Sequence, residues 1–114
     1  MGECIFCKIA AGEIPAVKIY EDDSVLAFKD IDAQAPVHFL LIPKKHIGSI
    51  LKLTTEDSSL VVHLMEVIKK VAEENGLNQD GFRIVVNTGE NGGQTVPHLH
   101  FHILGGREMA WPPG

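Results

Sequence analysis

The chain has 114 residues, 45% of them apolar and 22% charged, which suits one domain with one modest core and excludes wholesale disorder. Ten Lys and Arg against 15 Asp and Glu leave a formal charge of -5, which argues against a surface that coats a nucleic acid polymer but not against a local pocket for one small anion. No apolar run approaches the ~20 residues that span a bilayer, and Met1 opens onto Gly2-Glu3-Cys4 rather than a signal peptide, so a cytoplasmic domain with no membrane partner is expected over residues 1–114.

In chain order, Ile5 to Ala11 reads as a helical turn or two closed by Gly12. Val17 to Asp22 and Val25 to Ile31 read as strands joined at Asp22-Asp23. After Ala35-Pro36, His38 to Ile42 is an apolar strand stopped by Pro43. A short helix is expected over Ile47 to Leu51. The clearest element is a helix from Ser58 to Asn75, where Leu60, Leu64, Val67, Ile68, Val71 and Ala72 form one apolar stripe. His63 lies on this helix and reads as structural or solvent-facing. Asn75-Gly76 stops it, and Asp80-Gly81 turns the chain into a strand over Phe82 to Thr88. A glycine-rich loop, Gly89 to Thr95, leads into a last strand from His98 to Leu104. Mostly adjacent strands with one long helix indicate an α+β domain with a largely antiparallel sheet.

Two groups of residues carry chemistry. In His98-Leu99-His100-Phe101-His102-Ile103-Leu104, strand alternation puts the histidines on one face and the apolar residues on the other. Neutral imidazole is a nucleophile near pH 7, and neighbouring imidazoles can donate protons. The backbone N–H groups of the preceding glycine-rich loop and the Thr95 hydroxyl could contact phosphate oxygens, giving donors where charge develops at phosphorus. The second group is Cys4-Ile5-Phe6-Cys7, whose spacing suits a metal-ligand pair or a redox pair.

The run from 98 to 104 resembles the signature of the histidine triad family, and the tail from Gly105 to Gly114, with Trp111, resembles its Hint branch, the nucleoside phosphoramidases. Ile5-Phe6, Glu13-Ile14-Pro15-Ala16, Leu26-Ala27-Phe28, Ala35-Pro36, His38-Phe39, Ile42-Pro43-Lys44-Lys45-His46 and Gly92-Gly93-Gln94-Thr95 follow the same pattern. The resemblance implies a HIT-like fold with about five antiparallel strands, one long helix and one or two short ones. It implies a homodimer in which two sheets become continuous and Trp111 packs near the partner's site.

The resemblance also implies an activity: cleavage of the P–N bond of purine nucleoside phosphoramidates through a nucleotidyl-histidine, giving AMP or GMP and an amine. His100 would be the nucleophile and His102 would touch the phosphate, with His38 and His98 orienting them. Asn87, Gly93 and Thr95 would contact phosphate, and Asp30 the ribose hydroxyls. Ile5, Phe6, Ile9, Ile14, Phe28 and Ile31 would hold the base. Cys4, Cys7, His46 and His98 would bind a structural zinc, with no cofactor needed for the chemical step. Rival readings are a dinucleoside polyphosphate hydrolase, a hydrolase with catalytic zinc, and a purine nucleotide-binding regulatory module.

Overall fold

A computed structural model describes residues 4–114; the opening Met1-Gly2-Glu3, read above as no leader, lies outside them. Cys4 begins the first helix, α1 (Ile5–Ala10), as its N-cap, its thiol accepting from the Cys7 N–H at 3.4 Å. A hairpin of β1 (Lys18–Glu21) and β2 (Val25–Lys29) follows, then β3 (Val37–Pro43). The short helix expected over Ile47 to Leu51 is a single 3-10 turn at Ile50–Lys52.

The long helix, α2 (Ser58–Glu74), is preceded by a capping box. The Asp57 carboxylate accepts from the Thr54 N–H at 3.0 Å, and Lys45 holds its other oxygen at 2.9 Å. At the far end Asn75 caps the helix and Gly76 adopts a left-handed φ of 75°. β4 (Phe82–Val85) and β5 (Phe101–Gly105) complete a five-stranded sheet in the order β1-β2-β3-β5-β4, antiparallel throughout.

The central strands are buried on both faces, which explains their unbroken apolar runs. On one face Val25, Ala27, Phe39, Leu41, Phe101 and Ile103 pack with Leu64, Val67, Ile68, Val71 and Ala72 of α2. On the other, Leu26, Phe28, Leu40 and Ile42 pack with Phe6 and Ile9 of α1. The apolar spacing of α2 thus does what its period predicted.

β1 and β2 lose one or two residues at their expected ends, and two strands fall three residues short at one end. β4 ends at Val85 rather than Thr88, and β5 starts at Phe101 rather than His98. The second difference has a local cause. The His98 N–H bonds to the Val96 carbonyl and the Leu99 N–H to the Ile47 carbonyl, so this stretch spends its donors outside the ladder. Alternation nevertheless survives: Leu99 joins Phe101 and Ile103 in the helix-side core.

Candidate active site and metal centre

β3 and β5 set up the first part of the site. Their register pairs His38 with Leu104 and Leu40 with His102, so His38 and His102 are diagonal neighbours on one face. The two rings meet, His38 Nε2 lying 3.0 Å from His102 Nδ1. The network assigns their protons. The Gln34 N–H donates to His38 Nδ1 at 3.0 Å, so a neutral His38 carries its proton on Nε2 and donates it to His102 Nδ1. Asp30 Oδ2, 3.3 Å from His38 Nε2, shares that proton, while Asp30 Oδ1 accepts from the Asp32 N–H. His102 is left with its own N–H on Nε2. Burial pushes the His102 pKa down, with the neighbouring imidazoles of His100 and His38 adding to it and Asp30 opposing, so the ring is neutral at pH 7.

His100 is built differently. Its Nδ1 donates to the His98 carbonyl at 2.7 Å, which puts the lone pair on Nε2. Among the described residues every buried side-chain nitrogen and oxygen has a hydrogen-bond partner. Nε2 has none, so it must be reachable from outside although the residue is only 5% exposed. The edge-on ring of Phe6, its centroid 5.0 Å away, braces the imidazole.

These rings open on a cleft of about 470 Å³, a size suited to a small molecule. His100, His102, Asp30, Lys29 and Thr95 are its polar walls; Ile5, Phe6, Ile9, Ile14, Phe28 and Ile31 are among its apolar ones.

Behind His100 the side chains of Cys4, Cys7, His46 and His98 converge, their ligand atoms all within 4.8 Å of one another. Cys4 Sγ lies 3.3 Å and Cys7 Sγ 3.6 Å from His98 Nδ1, and Cys7 Sγ lies 3.2 Å from His46 Nδ1. Sulfur and nitrogen ligands on one tetrahedral ion sit about 3.6 Å apart. The His98 Nε2–H donates to the Pro43 carbonyl at 2.8 Å, leaving Nδ1 as a bare lone pair aimed at the thiols. Burial pushes the Cys7 thiol up, with the Cys4 thiol adding to it, so Cys7 would ionise readily only beside a cation. The donor set fits a metal ion.

Asp30, His38 and His102 also form a group compact enough for a metal, but their protons argue otherwise. His38 Nδ1 is occupied as an acceptor by Gln34, so its Nε2 carries hydrogen where a metal would need a lone pair. This group is a hydrogen-bond relay.

The HIT domain family model matches residues 11–109 of this chain. The chain belongs to the HIT family. A HIT-like protein of Synechococcus elongatus is 54% identical over 98% of this chain and 97% of its own. A HIT family hydrolase from Legionella pneumophila superposes with a TM-score of 0.97 at 52% identity, covering 98% of this chain and all of the other. A histidine triad protein from Clostridium difficile gives 0.93 at 50%, covering 96% of each.

Within this HIT domain the expected residues separate. His100, His102, Asp30, Thr95, Ile5, Phe6, Ile9, Ile14, Phe28 and Ile31 share the cleft, although Ile31 is fully exposed at its rim. His38 stands behind His102. The ring of His98 is fully buried and turned to the thiols, so its link to His100 is its backbone carbonyl. Asn87 and Gly93 do not line the cleft, and Trp111 lies apart from it, 81% exposed in the single chain. His63 is structural, one of the two roles expected of it: its Nε2 lies 2.7 Å from Asp22 Oδ2 and ties α2 to the hairpin.

The sequence reading missed three parts of the site. Gln34 and Pro43 act through their backbones, which carry no residue signature. Gln94 acts through its side chain. Its amide nitrogen donates to the Gly48 and Val96 carbonyls, and its oxygen accepts from the Gly89 N–H, closing the glycine-rich loop. A polar residue between two glycines and a threonine was the available clue.

Proposed function

We propose that this HIT protein is a hydrolase that cleaves the P–N bond of purine nucleoside 5'-phosphoramidates, with His100 as nucleophile. The observation that carries the reading is the His100 ring, with Nδ1–H on the His98 carbonyl and an open Nε2 lone pair facing a cleft. The Legionella relative being called a HIT family hydrolase supports the coarser part of it.

In the first step His100 Nε2 forms a bond to phosphorus and the P–N bond breaks, the departing amine taking a proton from solvent that the attacking water of the second step gives back. The His102 Nε2–H and the Thr95 hydroxyl donate to the phosphoryl oxygens as charge builds there. Water then attacks the nucleotidyl-His100, releasing the nucleoside monophosphate and returning the nitrogen lone pair. The relay through His38 and Gln34 keeps the His102 donor pointing outward without its becoming an imidazolium. Asp30 retains unused lone pairs beside the cleft for ribose hydroxyls, and the Ile5, Phe6 and Phe28 wall suits a flat apolar base.

Cys4, Cys7, His46 and His98 would hold a structural zinc, whose contribution is to fasten α1 to the segment that leads into β5. The exposed edge strand β4, where Phe82 is 38% and Ile84 42% exposed, is the surface for homodimerisation into one continuous sheet. Steady-state release of amine from adenosine 5'-phosphoramidate tests the reaction. The expected result is turnover by the native chain and a loss of at least about a thousandfold in His100→Ala, on the scale seen when an essential nucleophile is removed. Comparable turnover by the variant would overturn the assignment.

A further inference from the structure

We propose that the Cys4–Cys7–His46–His98 centre positions the nucleophile, acting through His98. This rests on the reading of His100 above. The ring of His98 belongs to the metal centre and its carbonyl belongs to His100. Both ring nitrogens are engaged, Nδ1 by the thiols and Nε2–H by the Pro43 carbonyl, and the side chain is 0% exposed. A ring held at both ends fixes the residue that carries it. The carbonyl of that residue accepts the His100 Nδ1–H at 2.7 Å, the bond that keeps the lone pair on Nε2.

Phe6 supplies a second link. It lies between the two cysteines in α1, and its ring meets both imidazoles edge-on, with centroids 5.9 Å from His98 and 5.0 Å from His100. The same ring lines the cleft. The thiols therefore set α1, α1 sets Phe6, and Phe6 packs edge-on against the nucleophile.

Losing the ion leaves His98 Nδ1 without its ligand role and α1 held by packing and the weaker thiol–imidazole contacts. The His98 ring can then rotate or take the other tautomer, its carbonyl shifts, and His100 exchanges between its two tautomers. Only one of these has an Nε2 lone pair. Disturbing groups that orient a site from behind it costs about tenfold to a hundredfold in activity. A centre that only holds the fold together behaves otherwise: its loss lowers thermal stability while each folded molecule keeps its nucleophile geometry.

The test uses the full chain carrying His46→Ala, which keeps three ligands and binds Zn2+ more weakly. Zn2+ is titrated while far-UV circular dichroism follows the fold, 1H–15N correlation spectra follow the His100 ring, and single-turnover cleavage of adenosine 5'-phosphoramidate follows the chemistry. With dichroism constant, the His100 ring is expected to pass from averaged tautomers to Nδ1–H as zinc binds, and cleavage to rise at least tenfold in parallel. An identical ring spectrum and rate at zero and saturating Zn2+ would overturn the proposal.

If the zinc-free variant is unfolded, Cys7→His carries the test, because it retains four ligands but shifts the ion. It is expected to stay folded with zinc bound while the His100 Nδ1–H resonance moves and cleavage falls about tenfold; an unchanged resonance and rate would refute the coupling. Ring signals that follow zinc in a protein with no cleavage at all would sink the phosphoramidate reading and leave the coupling standing.

Discussion

His98, His100 and His102 occur at every second position, yet each ring meets a different set of partners. His98 turns to the thiols and Pro43, His100 hangs from the His98 carbonyl, and His102 is held by His38. Spacing alone made them a row on one face. Their division of labour came from the family resemblance and not from spacing, because it depends on Cys4, Gln34 and Pro43, which lie far away in sequence and act in two cases through backbone atoms.

Asp22 illustrates the same point outside the site. Burial pushes its carboxyl upward, but hydrogen bonds from the Ser24 N–H, His63, Tyr20 and the Val25 N–H outweigh it, so the group stays well below the usual carboxylate range. Between the unfolded value of about 3.9 and that lower folded value, the unfolded chain binds the extra proton. The contribution of Asp22 is therefore complete above the unfolded value and is lost as pH falls towards the folded one. Asp22→Asn is expected to lose about 1–2 kcal/mol at pH 7, a charge-assisted interaction discounted for partial exposure. Urea denaturation should show that deficit shrinking towards zero as pH is lowered from 5 towards 2. A deficit independent of pH would contradict the assignment.

At the scale of elements, legibility followed periodicity. The stripe of α2 and the two-sided burial of β2 and β3 were written in the apolar pattern, and all three elements run close to their expected bounds. Where tertiary hydrogen bonds compete with the ladder, as at His98 and Leu99, the pattern continued while the strand did not. The segment from Gly89 to Thr95 has no period at all. Its shape comes from the Gln94 side chain and from glycines in conformations other residues resist: Gly93 has φ of 80°, and a Cβ on Gly92 would collide with the Thr88 backbone.

Gln94→Ala leaves the Gly48 carbonyl and the Gly89 N–H without their partner, while the Val96 carbonyl keeps the His98 N–H, and is expected to cost about 1–3 kcal/mol. Because Thr95 adjoins the loosened segment, KM for a nucleoside phosphoramidate should rise severalfold, with a smaller change in kcat. An unaltered KM would mean that the loop does not place Thr95 on the ligand.

At the scale of the whole molecule, the sheet separates two jobs. One face packs on α2 and supplies most of the core; the other carries α1, the cleft and the cysteine-histidine cluster. The matched family region starts at residue 11, so Cys4 and Cys7 lie ahead of it. Phe82 and Ile84 on the edge strand give the second global feature. Replacing both with Lys is expected to convert a dimer into a monomer in sedimentation velocity, since charged edges oppose strand pairing; a native chain that sediments as a monomer would remove the dimer from the account.

The most direct measurement of the central claim is a denaturing mass spectrum of the native chain quenched at successive short times after mixing with adenosine 5'-phosphoramidate. The account predicts one added adenylyl group, located by fragmentation on His100, that rises and then decays as AMP accumulates. Formation of AMP with no adduct at any time, or an adduct on another residue, would contradict it.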